Sequence, residues 1–406
     1  MAGPIARSPL AVPLPDLPPI PGVRLAAAQA GIRYQGRTDL VMVEFAPGTT
    51  VAGVFTRNRC PGAPIDWCRA ALAGGQARAL VVNAGNANVF TGAAGRQATL
   101  ATAEATASLL GCDPTTIFLA STGVIGEVLP HARITAALPA LHTALAEDAW
   151  EQAARGIMTT DTFPKACTRV VSLGGTDVRI TGFAKGSGMI APDMATMLCF
   201  VFTDAALPAA TLQALLHPAV DASFNRTTVD SDTSTSDTVL LFATGTAGNP
   251  PEADTTAFAG ALGELLLDLA LQVIRDGEGA QKLVRIDVSG ATDNRSARRV
   301  ALAVANSPLV KTAIAGQDAN WGRIVMAVGK AGEPADRDRL SVGIGGTWMA
   351  RDGAVVPGYD EAPVVAHMLG RDIQIAIDLG LGQGADTAWT CDLTHGYIDI
   401  NGSYRS

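Results

Sequence analysis

The sequence lacks the features of a secreted or disulfide-stapled protein. It has six cysteines, and no two of them are at CxxC spacing. Free thiols in a reducing compartment are therefore favoured over disulfides. Charged residues make up only 17% of the chain and the formal net charge is −8. That balance argues against nucleic acid or an anionic membrane as a partner.

Long apolar runs and metal-ligand clusters are missing as well. The N-terminus is rich in proline without a continuous apolar core, which argues against a secretory signal. The longest apolar stretch, 262–274, contains Glu264 and Asp268 and is shorter than a bilayer span. We therefore expect a soluble, cytoplasmic protein without a metal or a cofactor, whose partners are small molecules.

What the chain does have is length and apolar content. With 406 residues, of which 48% are hydrophobic, it is long enough for two domains with sizeable cores. The pattern becomes one of shorter strands after residue 280, so we expect domains at 1–280 and 281–406. Many short strands with a few long helices favour a layered α+β fold over a doubly wound parallel sheet.

Periodicity predicts where the individual elements lie. In the first domain we expect helices at 96–110, 134–155 (with a break or a kink near Pro139), 209–222 and 257–275, strands at 79–83, 117–120 and 239–243, and a hairpin of 170–173 with 178–180. In the second domain we expect strands at 284–288, 300–304, 324–328, 340–344 and 373–377.

Residues 185–198, KGSGMIAPDMATML, are the most distinctive stretch of the chain. Pro192 disfavours a helix before it, and the β-branched and aromatic residues after Thr196 predict a buried strand. This layout would let the Thr196 hydroxyl attack the Ala195 carbonyl in an N-to-O acyl shift. Hydrolysis of the ester would then leave Thr196 with a free α-amine.

Such a residue carries both nucleophile and base, because an N-terminal amine can take the proton of its own hydroxyl. The five histidines lie in no nucleophile signature, which fits a threonine that needs no histidine. The G-x-G-x-x-A pattern at 186–191 satisfies a loose dinucleotide fingerprint. Pro192 and the following strand exclude that reading, since the fingerprint requires a helix there.

The string Lys-Gly-x-Gly-Met followed by Met-Ala-Thr-Met-Leu resembles the self-cleavage segment of the glutamate N-acetyltransferase family, also called ornithine acetyltransferases, of arginine biosynthesis. The resemblance implies an α chain of 1–195 and a β chain that begins at Thr196. It also implies sheets sandwiched between helical layers in the first domain, a smaller α/β domain at the C-terminus, and an α2β2 assembly.

The resemblance also implies roles for individual residues. Thr122 and Gly123, in Ser-Thr-Gly-Val-Ile-Gly, match the oxyanion donors of the family, although spacing alone favours a simple strand-to-loop glycine turn. Lys185 matches a substrate-contacting lysine, and either Thr159 or Thr162 matches a substrate-binding threonine. The remaining substrate contacts implied by the family are Glu278, Asn401 and Ser406.

The activity implied is acetyl transfer from N2-acetylornithine to glutamate through an acyl-threonine, in a ping-pong cycle. Acetyl-CoA is a possible further substrate, and no residue decides whether it is used. The alternative is an N-terminal-nucleophile aminopeptidase or amidase, in which water accepts the acyl group. A third hypothesis is a metabolite-binding protein whose glycine loops hold an amino acid.

Overall fold

The structure, a computed structural model, describes residues 6–33, 35–191 and 197–402. Ala195 and Thr196, the predicted cleavage site, and Ser406 lie outside the described residues. The chain divides into a larger unit, residues 13–225 and 232–273, and a smaller unit, residues 6–12, 226–231 and 274–402.

The strands are β1 Val23–Ala28, β2 Leu40–Phe45, β3 Thr50–Phe55, β4 Ala79–Asn86, β5 Ile117–Val124, β6 Lys165–Leu173, β7 Thr176–Lys185, β8 Leu198–Thr203, β9 Thr227–Thr228, β10 Thr238–Ala243, β11 Leu283–Ala291, β12 Ser341–Ile344, β13 Thr347–Arg351, β14 Ala354–Val355, β15 Asp372–Asp378 and β16 Gly384–Cys391. The helices are α1 Ala63–Ala71, α2 Gly92–Leu110, α3 His131–Thr143, α4 Trp150–Gly156, α5 Ala209–Asp221, α6 Thr256–Arg275, α7 Asn294–Ala305, α8 Pro308–Ala315, α9 Trp321–Gly329, α10 Ala362–Met368 and α11 His395–Asn401.

The larger unit contains a four-stranded sheet, in the order β1-β2-β4-β5, and a five-stranded sheet, in the order β3-β10-β8-β7-β6. Alternation along β4 shows how the layers form. Leu80 and Val82 join a core with residues of the five-stranded sheet, whereas Ala79 and Val81 pack with residues of α2 and α3. Successive strand residues point to opposite faces of a sheet, so the four-stranded sheet is buried on both sides.

Aromatic side chains fill the space between the two sheets. Phe45 of the four-stranded sheet stacks on Phe242 of the five-stranded sheet, with ring centroids 4.3 Å apart. Phe202 on β8 lies 5.7 Å from Phe242, again stacked. These contacts fix β8 in the middle of its sheet against the opposite layer.

Helix α6 covers the other face of the five-stranded sheet. Gln272 accepts the backbone N–H of Ala166 on β6 at 3.1 Å. A Cβ on Gly182 of β7 would lie 3.0 Å from Leu269, so the helix and strand approach closely. Among the described helices, α6 is the one long and apolar enough to cross a membrane, but this packing makes it a core helix. The α+β class predicted from the sequence, with sheets between helical layers, is confirmed.

The smaller unit has a seven-stranded sheet in the order β14-β13-β12-β15-β11-β16-β9. The predicted strands at 284–288, 340–344 and 373–377 correspond to β11, β12 and β15. The predictions of strands at 300–304 and 324–328 were wrong, because these residues lie in α7 and α9.

Burial in α7 explains the first of these errors. The buried positions Ala297, Val300, Ala301 and Val304 repeat at helical spacing, and Asp293 caps the helix by accepting the N–H of Ser296 at 2.7 Å. The valines suggested a strand, but the N-terminal cap and the three-to-four-residue period of the buried positions are typical of a helix.

Pro139 predicts a break or a kink in the helix expected at 134–155, and the structure has no break there. Helix α3 runs through Pro139 to Thr143, and the interruption follows it, before α4 begins at Trp150. Pro139 is exposed, so water can reach the backbone carbonyl that its missing N–H leaves without a partner.

Candidate active site

The start of β8 carries the described residues nearest to the predicted cleavage site. Leu198 pairs with Lys185 of β7 on one side and with Thr238 of β10 on the other. Met197 is held from both of its backbone groups: Asp237 Oδ1 accepts its N–H at 3.1 Å, and its carbonyl accepts the N–H of Thr238 at 3.1 Å. The residue that follows Thr196 is thus fixed immediately before a central strand.

Lys185 is the last residue of β7 and is buried. Its Nζ lies 3.3 Å from the hydroxyl oxygen of Thr122. The lysine comes from the five-stranded sheet and the threonine from the four-stranded sheet. Two residues predicted separately from the sequence therefore meet between the layers, beside the strand that Thr196 precedes.

Gly123 occupies a position that no other residue can fill without distortion. Its φ is +131°, and an added Cβ would lie 2.3 Å from the carbonyl carbon of Gly85 on the neighbouring strand β4. The β4–β5 pairing becomes irregular at Gly85 and Asn86. Gly123 therefore lies inside β5, at an irregularity of the strand pairing, and not in the turn that spacing suggested. The irregularity brings the backbone after Thr122 close to the neighbouring strand.

A buried carboxylate, that of Asp161, joins the segments that carry these groups. Its Oδ1 accepts hydrogen bonds from Lys165 Nζ and from the backbone N–H of Gly186, both at 2.7 Å. Its Oδ2 accepts the N–H of Thr159 at 2.9 Å and lies 3.9 Å from Lys185 Nζ. One side chain therefore ties the segment of Thr159 to the end of β7.

Burial alone would raise the pKa of Asp161, but the two lysines and the hydrogen bonds from Lys165 and Thr159 outweigh it and hold the pKa well below its ordinary value. The carboxylate is charged at neutral pH. Lys165 and Lys185 are both buried beside it, so two cationic side chains share one carboxylate. Such a group of charges favours a further anion.

The sequence analysis gave no role to Asp161 or Lys165. The sequence offered one signal of this ion pair: two opposite charges four residues apart, with the apolar residues Phe163 and Pro164 between them. Their burial could not be inferred, because the same spacing is common in exposed ion pairs.

The two threonine candidates lie on either side of Asp161. Thr159 is half-buried, its N–H binds Asp161, and its carbonyl accepts a hydrogen bond from Arg37 at 2.7 Å. Thr162 is also half-buried. Between them, the Thr160 hydroxyl lies 2.6 Å from that of Ser187, so the segment contacts the glycine loop. The choice between Thr159 and Thr162 stays open.

Glu278 and Asn401 are brought together within the smaller unit. Asn401 Nδ2 donates to Glu278 Oε2 at 2.6 Å and to the Tyr397 carbonyl at 3.0 Å. Gly279 allows this approach: its φ is +78°, and a Cβ there would lie 2.5 Å from the Tyr397 nitrogen. Helix α11 therefore rests directly on the loop that follows α6, and its last residue contacts the buried Glu278 carboxylate.

The predicted site residues thus form two groups of side chains. Thr122, Gly123, Thr159, Thr162 and Lys185 belong to the larger unit, where Lys185 contacts Thr122 and Asp161 links Lys185 to Thr159. Glu278 and Asn401 belong to the smaller unit and contact each other. The larger-unit group supplies what acyl transfer needs around a nucleophile: a hydroxyl, a constrained glycine and a buried cation.

Comparison with known proteins identifies the family of the chain. The ArgJ family model matches residues 24–406. The chain is 67% identical to the arginine biosynthesis bifunctional protein ArgJ of Gluconobacter oxydans, covering 100% of this chain and 97% of that protein.

Two solved structures are similar to parts of the chain. The ArgJ protein of Bacillus halodurans is 40% identical over 50% of this chain and 98% of its own, with a TM-score of 0.49. The ornithine acetyltransferase of Mycobacterium tuberculosis, complexed with ornithine, is 31% identical over 47% of this chain and 96% of its own, with a TM-score of 0.38. The resemblance found in the sequence is confirmed by the family model, which spans most of the chain, and the chain belongs to the ArgJ family.

Proposed function

We propose that this protein transfers the acetyl group of N2-acetylornithine to glutamate through an acyl-threonine on Thr196, after it has cleaved its own backbone between Ala195 and Thr196. The observation that carries the proposal is the contact of buried Lys185 with Thr122 next to the start of β8. It supports the proposal because a hydroxyl group and a cation lie together beside the strand that Thr196 precedes.

Cleavage comes first. The Thr196 hydroxyl attacks the Ala195 carbonyl, the Thr196 nitrogen leaves with a proton, and an ester joins the two residues. Water then hydrolyses the ester to give a carboxylate on Ala195 and a free hydroxyl and amine on Thr196. We infer an α chain of 1–195 and a β chain from Thr196 onward.

The new α-amine serves as the base for the Thr196 hydroxyl. An N-terminal amine has an ordinary pKa of about 7.7–8.0, so a sizeable fraction is neutral at cytoplasmic pH. The positive charge of Lys185 on the adjacent strand disfavours the ammonium form. The buried Lys185 therefore favours the neutral form of the α-amine, which is the form that can act as a base.

Thr122 and Gly123 stabilise the tetrahedral oxyanion. Because Lys185 donates to the Thr122 oxygen, the hydroxyl hydrogen of Thr122 is available to point toward a developing negative charge. A hydroxyl that accepts a hydrogen bond from a cation is a stronger donor. The backbone N–H of Gly123 is the second donor, and oxyanion donors of this kind contribute about 100- to 1,000-fold in rate.

The remaining residues hold the amino acids. Lys185 binds the substrate carboxylate, and Thr159 or Thr162 contributes a hydroxyl. Glu278, which Asn401 contacts, binds the amino group of ornithine or glutamate. Asn401 and Ser406 are the further substrate contacts.

The two amino acids then use the site in turn. Ornithine leaves after accepting a proton from the Thr196 amine, and glutamate attacks the acyl-threonine to give N-acetylglutamate. We propose an α2β2 assembly in the cytoplasm and no cofactor; acetyl-CoA would enter, if at all, as an alternative acetyl donor.

Replacing Thr196 with alanine tests the proposal. We expect a single uncleaved chain that neither releases ornithine from N-acetylornithine nor acetylates glutamate, while the wild type shows two chains and parallel double-reciprocal plots. Full activity in the alanine variant contradicts the mechanism. Acetate release without acetylation of glutamate would instead support the hydrolase.

A further inference from the structure

Helix α11 of the smaller unit is held in place without a buried apolar face. None of its seven residues, His395–Asn401, is buried, and Ile398 is 66% exposed. A helix this short is not stable by itself in water, and most helices gain their stability from a packed apolar face. Because α11 buries no side chain, its position depends on polar contacts.

Those polar contacts form one stripe along the helix. Thr394, which caps α11, is followed by Tyr397 and Asn401 at intervals of three and four residues, the spacing of one helix face. The Thr394 hydroxyl donates to the Gly279 carbonyl at 2.7 Å, and Asn401 Nδ2 donates to Glu278 Oε2 at 2.6 Å. Both ends of the helix are thus attached to the loop that follows α6.

Tyr397 is the middle member of this stripe, and the mechanism above gives it no role. Its hydroxyl donates to Asp230 Oδ2 at 3.2 Å, and its carbonyl accepts a hydrogen bond from Asn401 Nδ2 at 3.0 Å. Asp230 lies two residues after β9, the edge strand that pairs with β16. The tyrosine therefore connects the edge of the seven-stranded sheet to the amide that contacts Glu278.

We propose that Tyr397 is a positioning residue for the amino-acid substrates. Its hydrogen bond to Asp230 fixes α11, so that Asn401 holds the Glu278 carboxylate in the orientation that binds a substrate amino group. The inference rests on the proposed function, because it requires Glu278 to bind that amino group. Tyr397 acts through Asn401 and not by contact with the substrate. A carboxylate that is already oriented binds an ammonium group more tightly, since no side chain has to be ordered on binding.

Substitutions can remove the hydrogen bond between Tyr397 and Asp230 from either side. Tyr397→Phe keeps the ring and the carbonyl and removes the hydroxyl. Asp230→Ala removes the acceptor, whereas Asp230→Asn keeps an oxygen that can accept. Tyr359→Phe is the matched control, because Tyr359 packs against the core of the same unit and its hydroxyl has no hydrogen-bond partner among the residues that the structure describes.

Each full-length variant is assayed for acetyl transfer with N-acetylornithine and glutamate, and its cleavage is followed by denaturing electrophoresis. Tyr397→Phe and Asp230→Ala should each raise KM for both amino acids by about 3- to 10-fold, the effect of losing one hydrogen bond, with kcat changed by less than about twofold. Asp230→Asn should raise KM less than Asp230→Ala does. Tyr359→Phe should leave KM, kcat and cleavage as in wild type.

A double-mutant cycle gives a readout that two separate structural effects would not produce. If Tyr397 acts through Asp230, Tyr397→Phe should change KM by less than about twofold in the Asp230→Ala protein. Fold-changes that multiply in the double variant overturn the proposal, because the two residues then act independently. An unchanged KM in Tyr397→Phe overturns it as well, even where Asp230→Ala does not fold. So does a Tyr397→Phe protein that loses cleavage and kcat together with KM, since that pattern indicates general destabilisation.

Glu278→Gln in the same assay distinguishes failure of this inference from failure of the proposed function. A raised KM in Glu278→Gln, beside an unchanged KM in Tyr397→Phe, refutes the role of Tyr397 alone. An unchanged KM in both variants refutes the substrate contact of Glu278. A wild-type protein that transfers no acetyl group to glutamate refutes the function itself.

Discussion

Replacing Asp161 with asparagine removes the negative charge from between two buried lysines. Asp161 contacts Lys165 Nζ at 2.7 Å and lies 3.9 Å from Lys185 Nζ, with all three side chains almost fully buried. Removing one partner of a buried ion pair costs about 3–5 kcal/mol, because the other charge is left without compensation. A folded domain is stable by only about 5–15 kcal/mol, so the loss should be large enough to measure directly.

The assay is urea unfolding of each variant in the Thr196→Ala background, where we expect one covalent chain. Asp161→Asn should lower the free energy of unfolding by about 3–5 kcal/mol. Adding Lys165→Met returns the net buried charge of the three residues to its native value, so the double variant should be more stable than Asp161→Asn alone. Without the Thr196→Ala change, the double variant should still show a raised KM, because Asp161 no longer holds Lys185 and the Thr159 segment in place.

Two results would refute this reasoning. One is an Asp161→Asn protein within about 1 kcal/mol of its parent, which is the range of an exposed ion pair. The other is a double variant whose loss of unfolding free energy equals the sum of the losses measured for Asp161→Asn and Lys165→Met singly. That result would mean that the two residues do not interact.

Further predictions follow from the same contacts. Thr122→Val should lower kcat by about 100- to 1,000-fold with little change in KM, the effect of losing one oxyanion donor; an unchanged kcat would contradict that role. Glu278→Gln should raise KM for N-acetylornithine and glutamate more than it lowers kcat, as steady-state kinetics with both substrates will show. The folded-state pKa of Asp161 is lowered, so its contribution to stability is present above its unfolded pKa of about 3.9 and is lost as pH falls through the folded value. Urea unfolding between about pH 5 and pH 2 should therefore show a fall in the free energy of unfolding for wild type that the Asp161→Asn protein lacks. Burial raises the pKa of the Asp237 carboxyl, so its contribution to stability is present below the unfolded pKa of about 3.9 and is lost as pH rises toward the folded value. The free energy of unfolding of Asp237→Asn minus that of wild type should therefore increase as pH rises above about 4, and a difference that decreases would contradict this sign.

Much of the fold could be predicted from the sequence because its signals are local. The hairpin of β6 and β7 turns at Gly174 and Gly175, and both glycines have the positive φ that such a turn requires. Helices α2, α5 and α6 have clear apolar periods and were placed within a few residues. Helices α7 and α9 were misread as strands because of their valines. The strand propensity of single residues decides less about the structure than a pattern of buried residues at helical spacing.

The same distinction between local and long-range signals applies to the candidate site. Thr122, Gly123 and Lys185 were predicted through family motifs, because spacing alone favoured a simple glycine turn. The contact of Lys185 with Thr122 depends on the pairing of two sheets, which no local pattern contains. Asp161 was missed for the same reason: its burial, and the Gly186 N–H that it accepts, arise only when distant segments come together.

The central claim is that a backbone cut turns Thr196 into a terminal residue that both attacks and deprotonates. Mass spectrometry of active enzyme, incubated with N-acetylornithine and no glutamate, tests it most directly. We predict a β chain that begins at Thr196 and carries one acetyl group on that residue. Active enzyme in which the bond between Ala195 and Thr196 is intact in every molecule would contradict the account.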